Sequence, residues 1–138
     1  MPPKLFVATK AFIIRDGKIL ILRESSSYLE GTNAGRFDVV GGRLEPGEAF
    51  DASLLREIKE ETGLAATVGK PFHVGEWRPV VRGEQWQVVG IFFECFSESG
   101  DVVLSGDHDA YEWISKEEYG EYVLIPNLEQ AFAAYASR

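Results

Sequence analysis

The sequence predicts a mixed α/β fold, in which helices pack on a sheet of mixed strand direction. Strand-like and helix-like segments follow one another without the strict strand–helix alternation of a parallel sheet. The composition, with 45% hydrophobic and 26% charged residues, is that of an ordinary globular protein. A length of 138 residues fits one domain, so we expect a single domain over residues 1–138.

The first segments predict a hairpin followed by a loop. Residues 5–15 are rich in β-branched and aromatic side chains and predict a strand, as does the apolar run at 18–23. Asp16-Gly17 between them is a strong signal for a two-residue hairpin turn. Residues 24–36 contain three serines, two glycines and an asparagine, and predict a loop long enough to take part in binding.

A short strand and a helix follow. Residues 37–40 form an apolar run that ends in Gly41-Gly42. Residues 49–62 predict a helix, because a Pro-Gly turn precedes them and Gly63 follows as a C-cap.

The second half of the chain predicts more sheet and a final helix. Residues 67–81 and 85–97 read as two long strands around the turn at 82–84. A polar, acidic loop at 98–109 leads to a short strand at 111–114. Pro126 is expected at the first position of the last helix, whose apolar stripe includes Leu128, Phe132 and Tyr135.

The charge balance limits the possible partners. Acidic residues number 22 against 14 basic ones, for a net charge of −8, so a basic surface for duplex nucleic acid is not expected. An anionic substrate would need a local positive charge, and a divalent metal is the natural candidate. No apolar run is long enough to span a membrane, and the single Cys95 cannot form an internal disulfide, so we expect a cytoplasmic protein.

Three glutamates fall on one face of the predicted helix. At 100° per residue, Glu60 and Glu61 lie about −60° and +40° from Glu57. Leu54, Leu55 and Ile58 occupy a separate arc that can pack on a sheet, and Arg56 can pair with Glu60 one turn later. Crowded carboxylates repel one another unless a cation lies among them, and Mg²⁺ prefers carboxylate oxygens. A solvated acidic face is the alternative, although the C-terminal end of a helix disfavours negative charge.

The spacing around this helix resembles the Nudix box. The match covers residues 42–64 and includes nine defined positions: Gly42, Glu48, Arg56, Glu57, Ile58, Glu60, Glu61, Gly63 and Leu64. The Asp-Gly hairpin and the segment from Phe37 to Gly42 also resemble a small Nudix domain. One departure is Val40, because relatives commonly have proline before the Gly-Gly pair.

The resemblance implies an α/β/α sandwich that hydrolyses a nucleoside diphosphate linked to another group, with Mg²⁺ or Mn²⁺. By this resemblance the metal ligands are Glu57, Glu60 and Glu61, the further carboxylate of Glu48 and the backbone carbonyl of Gly41. The resemblance also assigns Arg56 to orienting these glutamates. The general base is expected to be Glu61 or an acid of the later loop, with Asp107 as the main candidate there.

Several questions stay open at the level of sequence. Arg23 could contact a phosphate or be a surface or salt-bridge arginine. Phe37 could stack on a base, although aromatic residues of this kind are more often part of the core or the sheet surface. A nucleoside triphosphate or oxidised dNTP, cleaved to a monophosphate and pyrophosphate, competes with ADP-ribose or a nucleotide sugar as the substrate. Pro79 favours ADP-ribose by resemblance, because ADP-ribose pyrophosphatases of the family carry a proline at about this distance from the Nudix box. A nucleotide-sensing module without catalysis is a further alternative, and the family resemblance makes a homodimer possible.

Overall fold

The fold is a mixed sheet with two α-helices and one short 3-10 helix. A computed structural model describes residues 2–28 and 33–138. The strands are β1 (Lys4–Arg15), β2 (Lys18–Glu24), β3 (Phe37–Asp38), β4 (Val40–Arg43), β5 (Thr67–Trp77), β6 (Val80–Val81), β7 (Glu84–Phe96) and β8 (His108–Ile114). The helices are α1 (Phe50–Thr62), α2 (Leu128–Ala136) and the 3-10 helix Glu118–Glu121.

The centre of the sheet is a parallel pair. β1 and β7 run side by side from Lys4↔Trp86 to Ile14↔Phe96, and the other strand pairs are antiparallel. The other edge of β1 is shared, because β2 pairs with its end and β4 with its middle. β5 pairs with β7, and β8 pairs with β2. The strand order is therefore β3-β2-β1-β7-β5 along the main path.

Both faces of the sheet are covered, so the predicted α/β/α sandwich is confirmed. On β2, Leu20 and Leu22 enter the core under α1, while Ile19 and Ile21 enter the core under α2. This alternation follows from the two-residue period of a strand. It explains why the sequence of β2 is continuously apolar, since a strand that is buried on both faces has no water-facing positions.

Helix α1 packs on the sheet through a narrower stripe than the sequence predicts. Leu54 and Ile58 are fully buried against the sheet, whereas Leu55 is 38% exposed. Leu55 lies at the edge of the apolar arc, whereas Leu54 and Ile58 make the contacts with the sheet. The opposite face of the helix is thus left for its charged residues.

Two predicted turns are confirmed by backbone geometry. Asp16 and Gly17 both have positive φ angles, 51° and 75°, as a type I′ hairpin requires. Gly63 ends α1 with φ 74°, and its amide donates a hydrogen bond to the carbonyl of Lys59. The left-handed conformation favours glycine here because it has no Cβ.

The predicted strand over residues 67–81 is interrupted. β5 ends at Trp77, and β6 resumes at Val80 beyond Pro79. Proline has no N–H for a strand ladder, which explains the break. β6 then pairs with the start of β7 through a tight turn in which Arg82 and Gly83 have positive φ.

Other boundaries differ more modestly. β8 begins at His108 rather than at 111, because pairing with β2 extends it toward the loop. Pro126 precedes the N-cap Asn127 instead of occupying the first turn of α2. The Gly-Gly pair lies inside β4 rather than after a strand. Of the predicted loop at 24–36, residues 29–32 lie outside the described part of the chain.

The loop between β7 and β8 is held against the end of α1. The amides of Val103 and Ser105 donate to the carbonyls of Thr62 and Glu61, at 2.8 and 3.4 Å. These are carbonyls of the last helical turn, which has no partner within the helix itself. The amide of Ser25 bonds to the carbonyl of Asp107 from the other side. The acidic loop is therefore fixed beside the glutamates of α1.

Over the residues that the structure describes, no helix is both long and apolar enough to cross a membrane.

Two neighbouring leucines of α1 provide a test of its packing. Leu54→Ala should lower the free energy of unfolding by about 2–5 kcal/mol, because it leaves a cavity beneath the helix. Leu55→Ala should cost under about 1 kcal/mol, since that side chain is partly exposed. Urea denaturation followed by circular dichroism measures both. Equal losses for the two variants would contradict the observed packing of the helix.

Candidate active site

A cavity of about 870 Å³ opens between β4, α1 and the loop before β8. Eight carboxylates line it: Glu24, Asp38, Glu45, Glu48, Glu57, Glu60, Glu61 and Asp107. Gly41 and Gly42 of β4 form part of one wall of the cavity, and the charged face of α1 forms the opposite wall. The acidic residues predicted from the helix thus share one cavity with acids from β2, β3 and the later loop.

The two glycines of β4 allow the strand to approach its neighbours closely. A Cβ on Gly42 would lie 2.8 Å from both Cδ and Oε1 of Glu57. A Cβ on Gly41 would collide with the Thr9 carbonyl oxygen and lie 2.7 Å from Cδ of Lys10. Any side chain at either position would therefore displace the groups that form the site. Both glycines line the cavity, where a backbone carbonyl could serve as a ligand.

Arg56 joins three of the glutamates. Its Nη1 lies 3.3 Å from Oε1 of Glu57 and 3.3 Å from Oε2 of Glu60, so the predicted pairing with Glu60 is confirmed. Its Nε and Nη2 also donate to Oε2 of Glu48, at 3.2 and 3.1 Å. The pKa of Glu48 is lowered, mainly by a hydrogen bond from the Glu45 amide and further by Arg56. Arg56 thus offsets the mutual repulsion of these three carboxylates.

Glu61 lies in a more buried environment than the glutamates that Arg56 contacts. Its side chain is buried, and its Oε2 has no hydrogen-bond partner within residues 2–28 and 33–138. Burial raises the pKa of Glu61 well above 4.5, and the neighbouring carboxylate of Glu57 raises it further. Burial also lowers the pKa of His108, whose Nδ1 lies 3.8 Å from Oε1 of Glu61. Burial therefore favours the neutral form of both groups.

A buried ion pair lies beside the acidic cavity. Nζ of Lys10 donates to Oδ2 of Asp38 at 2.8 Å, and the lysine side chain is only 8% exposed. The positive charge of Lys10 favours the ionised form of Glu61, and so partly opposes the increase in the pKa of Glu61. A lysine in the middle of a strand that is buried on both faces was the one sequence signal for this pair.

The donor set fits a hard divalent cation. Its atoms are carboxylate and carbonyl oxygens, the type that Mg²⁺ and Mn²⁺ prefer, and the buried Oε2 of Glu61 is unpartnered in the described structure. Over the described residues, no three acidic, histidine or cysteine side chains are already arranged to hold a metal ion. Arg56 contacts the carboxylates of Glu48, Glu57 and Glu60. Arg56 contacts Oε1 of Glu57 and Oε2 of Glu60, so the second oxygen of each carboxylate remains for a cation.

The other candidate residues are placed differently. Asp107 lines the cavity beside His108. Arg23 forms a salt bridge with Asp109 at 2.7 Å and is not among the residues that line the cavity. Phe37 packs edge-on against Tyr122, with ring centroids 5.4 Å apart, on the α2 side of the sheet. The structure therefore gives neither Arg23 nor Phe37 a contact with the acidic cavity.

The cavity residues that sequence analysis did not assign to the site include Glu24, Asp38, Arg43 and His108. Burial raises the pKa of Glu24, which accepts a hydrogen bond from the Asn33 amide at 2.6 Å. Glu24 ends β2 and Asp38 ends β3, so these residues meet only through strand pairing. No spacing along the chain relates them to α1, and sequence patterns alone could not have brought them together.

Comparisons with known proteins extend over nearly the whole chain. Residues 4–135 match the family model described as the NUDIX domain. The chain is 32% identical to a CTP pyrophosphohydrolase of Escherichia coli strain K12, over 98% of this chain and 97% of that protein. It is 27% identical to the nucleoside triphosphatase NudI of Klebsiella pneumoniae strain 342, over 81% and 83%. The crystal structure of a MutT protein from Methanosarcina mazei Go1 superposes with a TM-score of 0.87 at 27% identity, over 99% and 96%.

The raised pKa of Glu61 predicts a pH-dependent stability of the metal-free protein. The folded state holds this proton more tightly than the unfolded chain does. The stability gained is fully present below the usual value of 4.5 and is lost as the pH rises through the folded pKa. In EDTA, Glu61→Gln should therefore raise the melting temperature relative to wild type more at pH 8 than at pH 5.

The trend with pH is the relevant measurement, because the buried amide adds an offset at every pH. Glu60→Gln is the matched control, since the Glu60 side chain is 58% exposed. We expect its difference from wild type to change little with pH. A constant difference for Glu61→Gln across the same range would contradict the assignment of a buried proton to this residue.

Proposed function

The chain belongs to the NUDIX family and is a hydrolase of phosphoric anhydride bonds, and we propose that it is a nucleoside triphosphate pyrophosphohydrolase. The proposed reaction consumes one water and releases a nucleoside monophosphate and pyrophosphate. We further propose that it needs Mg²⁺ or Mn²⁺ and that residues 1–138 form one hydrolase domain. The observation that carries this proposal is the cavity between β4 and α1, in which eight carboxylates surround one space.

The proposed substrate class draws on the relatives. One is named for CTP and another for nucleoside triphosphates, and the first aligns with nearly the whole of this chain. ADP-ribose stays as the alternative, because Pro79 lines a smaller cavity of about 200 Å³ that adjoins the acidic one. The two cavities share Tyr28, Gly42 and Arg43, so a nucleoside in the smaller one would place its phosphates toward the carboxylates.

The chain's acidic residues are proposed to hold the metal. Glu48, Glu57, Glu60, Glu61 and the carbonyl of Gly41 would supply its oxygen ligands. When bound, such a cation neutralises phosphate charge and lowers the pKa of a coordinated water. Arg56 is proposed to orient Glu48, Glu57 and Glu60, which it contacts in this structure at 3.1–3.3 Å.

The proton from the attacking water needs an acceptor within the cavity. Glu61 suits this role because it lines the cavity and its Oε2 is unpartnered among the described atoms. Asp107 is the alternative, since it lines the same cavity from the loop before β8. We propose that one of these two carboxylates is the general base.

A non-catalytic nucleotide sensor is the competing function of another class. Such a module would have no need of a complete acidic set, whereas Glu57, Glu60 and Glu61 are all present and line one cavity. Hydrolysis and sensing are separated by turnover, because a sensor would bind the nucleotide and leave it intact.

The direct test is a substrate panel in Mg²⁺ with products identified by mass. We expect nucleoside triphosphates to yield monophosphate and pyrophosphate faster than ADP-ribose or nucleotide sugars are cleaved. EDTA should abolish the reaction, and excess Mg²⁺ should restore it. Release of a nucleoside diphosphate and inorganic phosphate would contradict the proposed site of cleavage. Full turnover in metal-free protein would contradict metal dependence.

Two carboxylate substitutions separate metal binding from proton transfer. Glu57→Gln should reduce turnover by at least ~10²-fold and weaken Mn²⁺ binding in isothermal titration, because it removes a ligand charge. Asp107→Asn should lower turnover with Mn²⁺ affinity nearly unchanged if Asp107 is the base. Full turnover in Asp107→Asn would leave Glu61 as the base.

Glu129→Gln is a suitable control for both variants. Glu129 is an exposed glutamate in the first turn of α2, on the opposite side of the sheet. This control should match wild type in both measurements. Near-normal turnover and Mn²⁺ affinity in Glu57→Gln would show that the metal is held by other acids.

A further inference from the structure

Arg43 is a cation of the acidic cavity that has no carboxylate partner among the described residues. It lines the wall formed by β4, next to Gly42. The other two cations near the carboxylates are occupied: Arg56 binds three glutamates, and Lys10 binds Asp38. Arg43 thus keeps its charge available in a cavity where acidic groups greatly outnumber basic ones.

Two aromatic rings hold the guanidinium instead. Its Cζ lies 4.5 Å from the ring centroid of Phe6 and 4.6 Å from that of Trp86. A cation–π contact is an attraction between the charge and the aromatic ring. It uses no carboxylate oxygen, so a phosphate could accept hydrogen bonds from this guanidinium without displacing a salt-bridge partner. Phe6 and Trp86 together form an aromatic clamp around the Arg43 guanidinium.

The clamp is itself held by strand pairing and one ion pair. Phe6 lies on β1 and Trp86 on the adjacent β7, with ring centroids 4.7 Å apart. Nε1 of Trp86 donates to Oε1 of Glu84 at 3.0 Å, and Oε2 of Glu84 accepts from Nζ of Lys4 at 2.8 Å. These contacts limit rotation of the indole ring, and hence limit the positions that Arg43 can adopt.

We propose that Arg43 binds the phosphate chain of the substrate and that Phe6 and Trp86 are positioning residues for it. This inference rests on the proposed function. Arg43 lines both the acidic cavity and the adjoining smaller cavity, so it lies where a nucleotide would pass from one to the other. A guanidinium can donate two parallel hydrogen bonds to phosphate oxygens, which a clamped and unpaired arginine presents without breaking a salt bridge.

The first experiment uses inorganic pyrophosphate as the probe. Isothermal titration in Mg²⁺ should show that Arg43→Met weakens pyrophosphate binding about 10–100-fold, the loss expected for a bidentate charged contact. Arg138→Met is the matched control, because Arg138 also lies over two aromatic rings, those of Phe72 and Tyr135, and is not among the residues lining the cavity. The control variant should bind pyrophosphate like wild type.

The second experiment tests whether Trp86 acts through Arg43. Trp86→Leu alone should weaken pyrophosphate binding and raise KM for the nucleotide more than it lowers kcat. Added to Arg43→Met, it should cause little further loss, because the residue that it positions is already gone. An equal effect of Trp86→Leu in both backgrounds would overturn the positioning role, as a general structural effect would not depend on Arg43.

The outcomes distinguish this inference from the proposed function. If wild type cleaves nucleoside triphosphates but Arg43→Met matches it in pyrophosphate affinity and KM, the role of Arg43 is overturned and the function stands. If wild type neither binds pyrophosphate nor cleaves nucleotides in Mg²⁺, both are overturned. Melting temperatures of all variants identify any loss that arises from unfolding, and a variant that lowers only the melting temperature counts against the inference.

Discussion

Crowding of negative charge is the constraint on which the rest of this structure depends. Eight carboxylates line one cavity, and three different arrangements reduce the repulsion among five of them. Arg56 binds Glu57 and Glu60 of α1 and Glu48 of the turn before it, Lys10 binds Asp38, and burial raises the pKa of Glu61. Each arrangement is local, and each leaves carboxylate oxygens that a divalent cation could recruit in place of a proton or a guanidinium.

The sheet supplies the framework that makes this crowding possible. The parallel pairing of β1 with β7 leaves the other edge of β1 to be shared by β2 and β4, and β4 reaches the cavity through two glycines. Gly42 lets the backbone approach Glu57 more closely than any side chain would permit. The hydrogen bonds from Val103 and Ser105 to the end of α1 hold the acidic loop in place, so that His108 lies beside Glu61.

Features that depend on neighbouring residues in the chain were predictable. Asp16-Gly17 and Gly63 require positive φ angles, and Arg56 and Glu60 lie one helical turn apart, so their geometry follows from local rules. Boundaries that depend on partner strands were less predictable. β8 begins earlier than its apolar pattern indicates because it pairs with β2, and the long predicted strand breaks at Pro79 where a new hairpin with β7 starts.

The sequence by itself determined the class of fold, the helix that carries the glutamates and the resemblance to the Nudix box, because periodicity and fixed spacing are properties of the chain. Only the tertiary structure decided which acids share a cavity with Glu57, Glu60 and Glu61. Contacts such as Lys10 with Asp38, or His108 with Glu61, join residues that are 28 and 47 positions apart on different strands and on α1. Burial likewise is a property of packing, so the raised pKa of Glu61 and the stacking of Arg43 on Phe6 and Trp86 exist only once the sheet has formed.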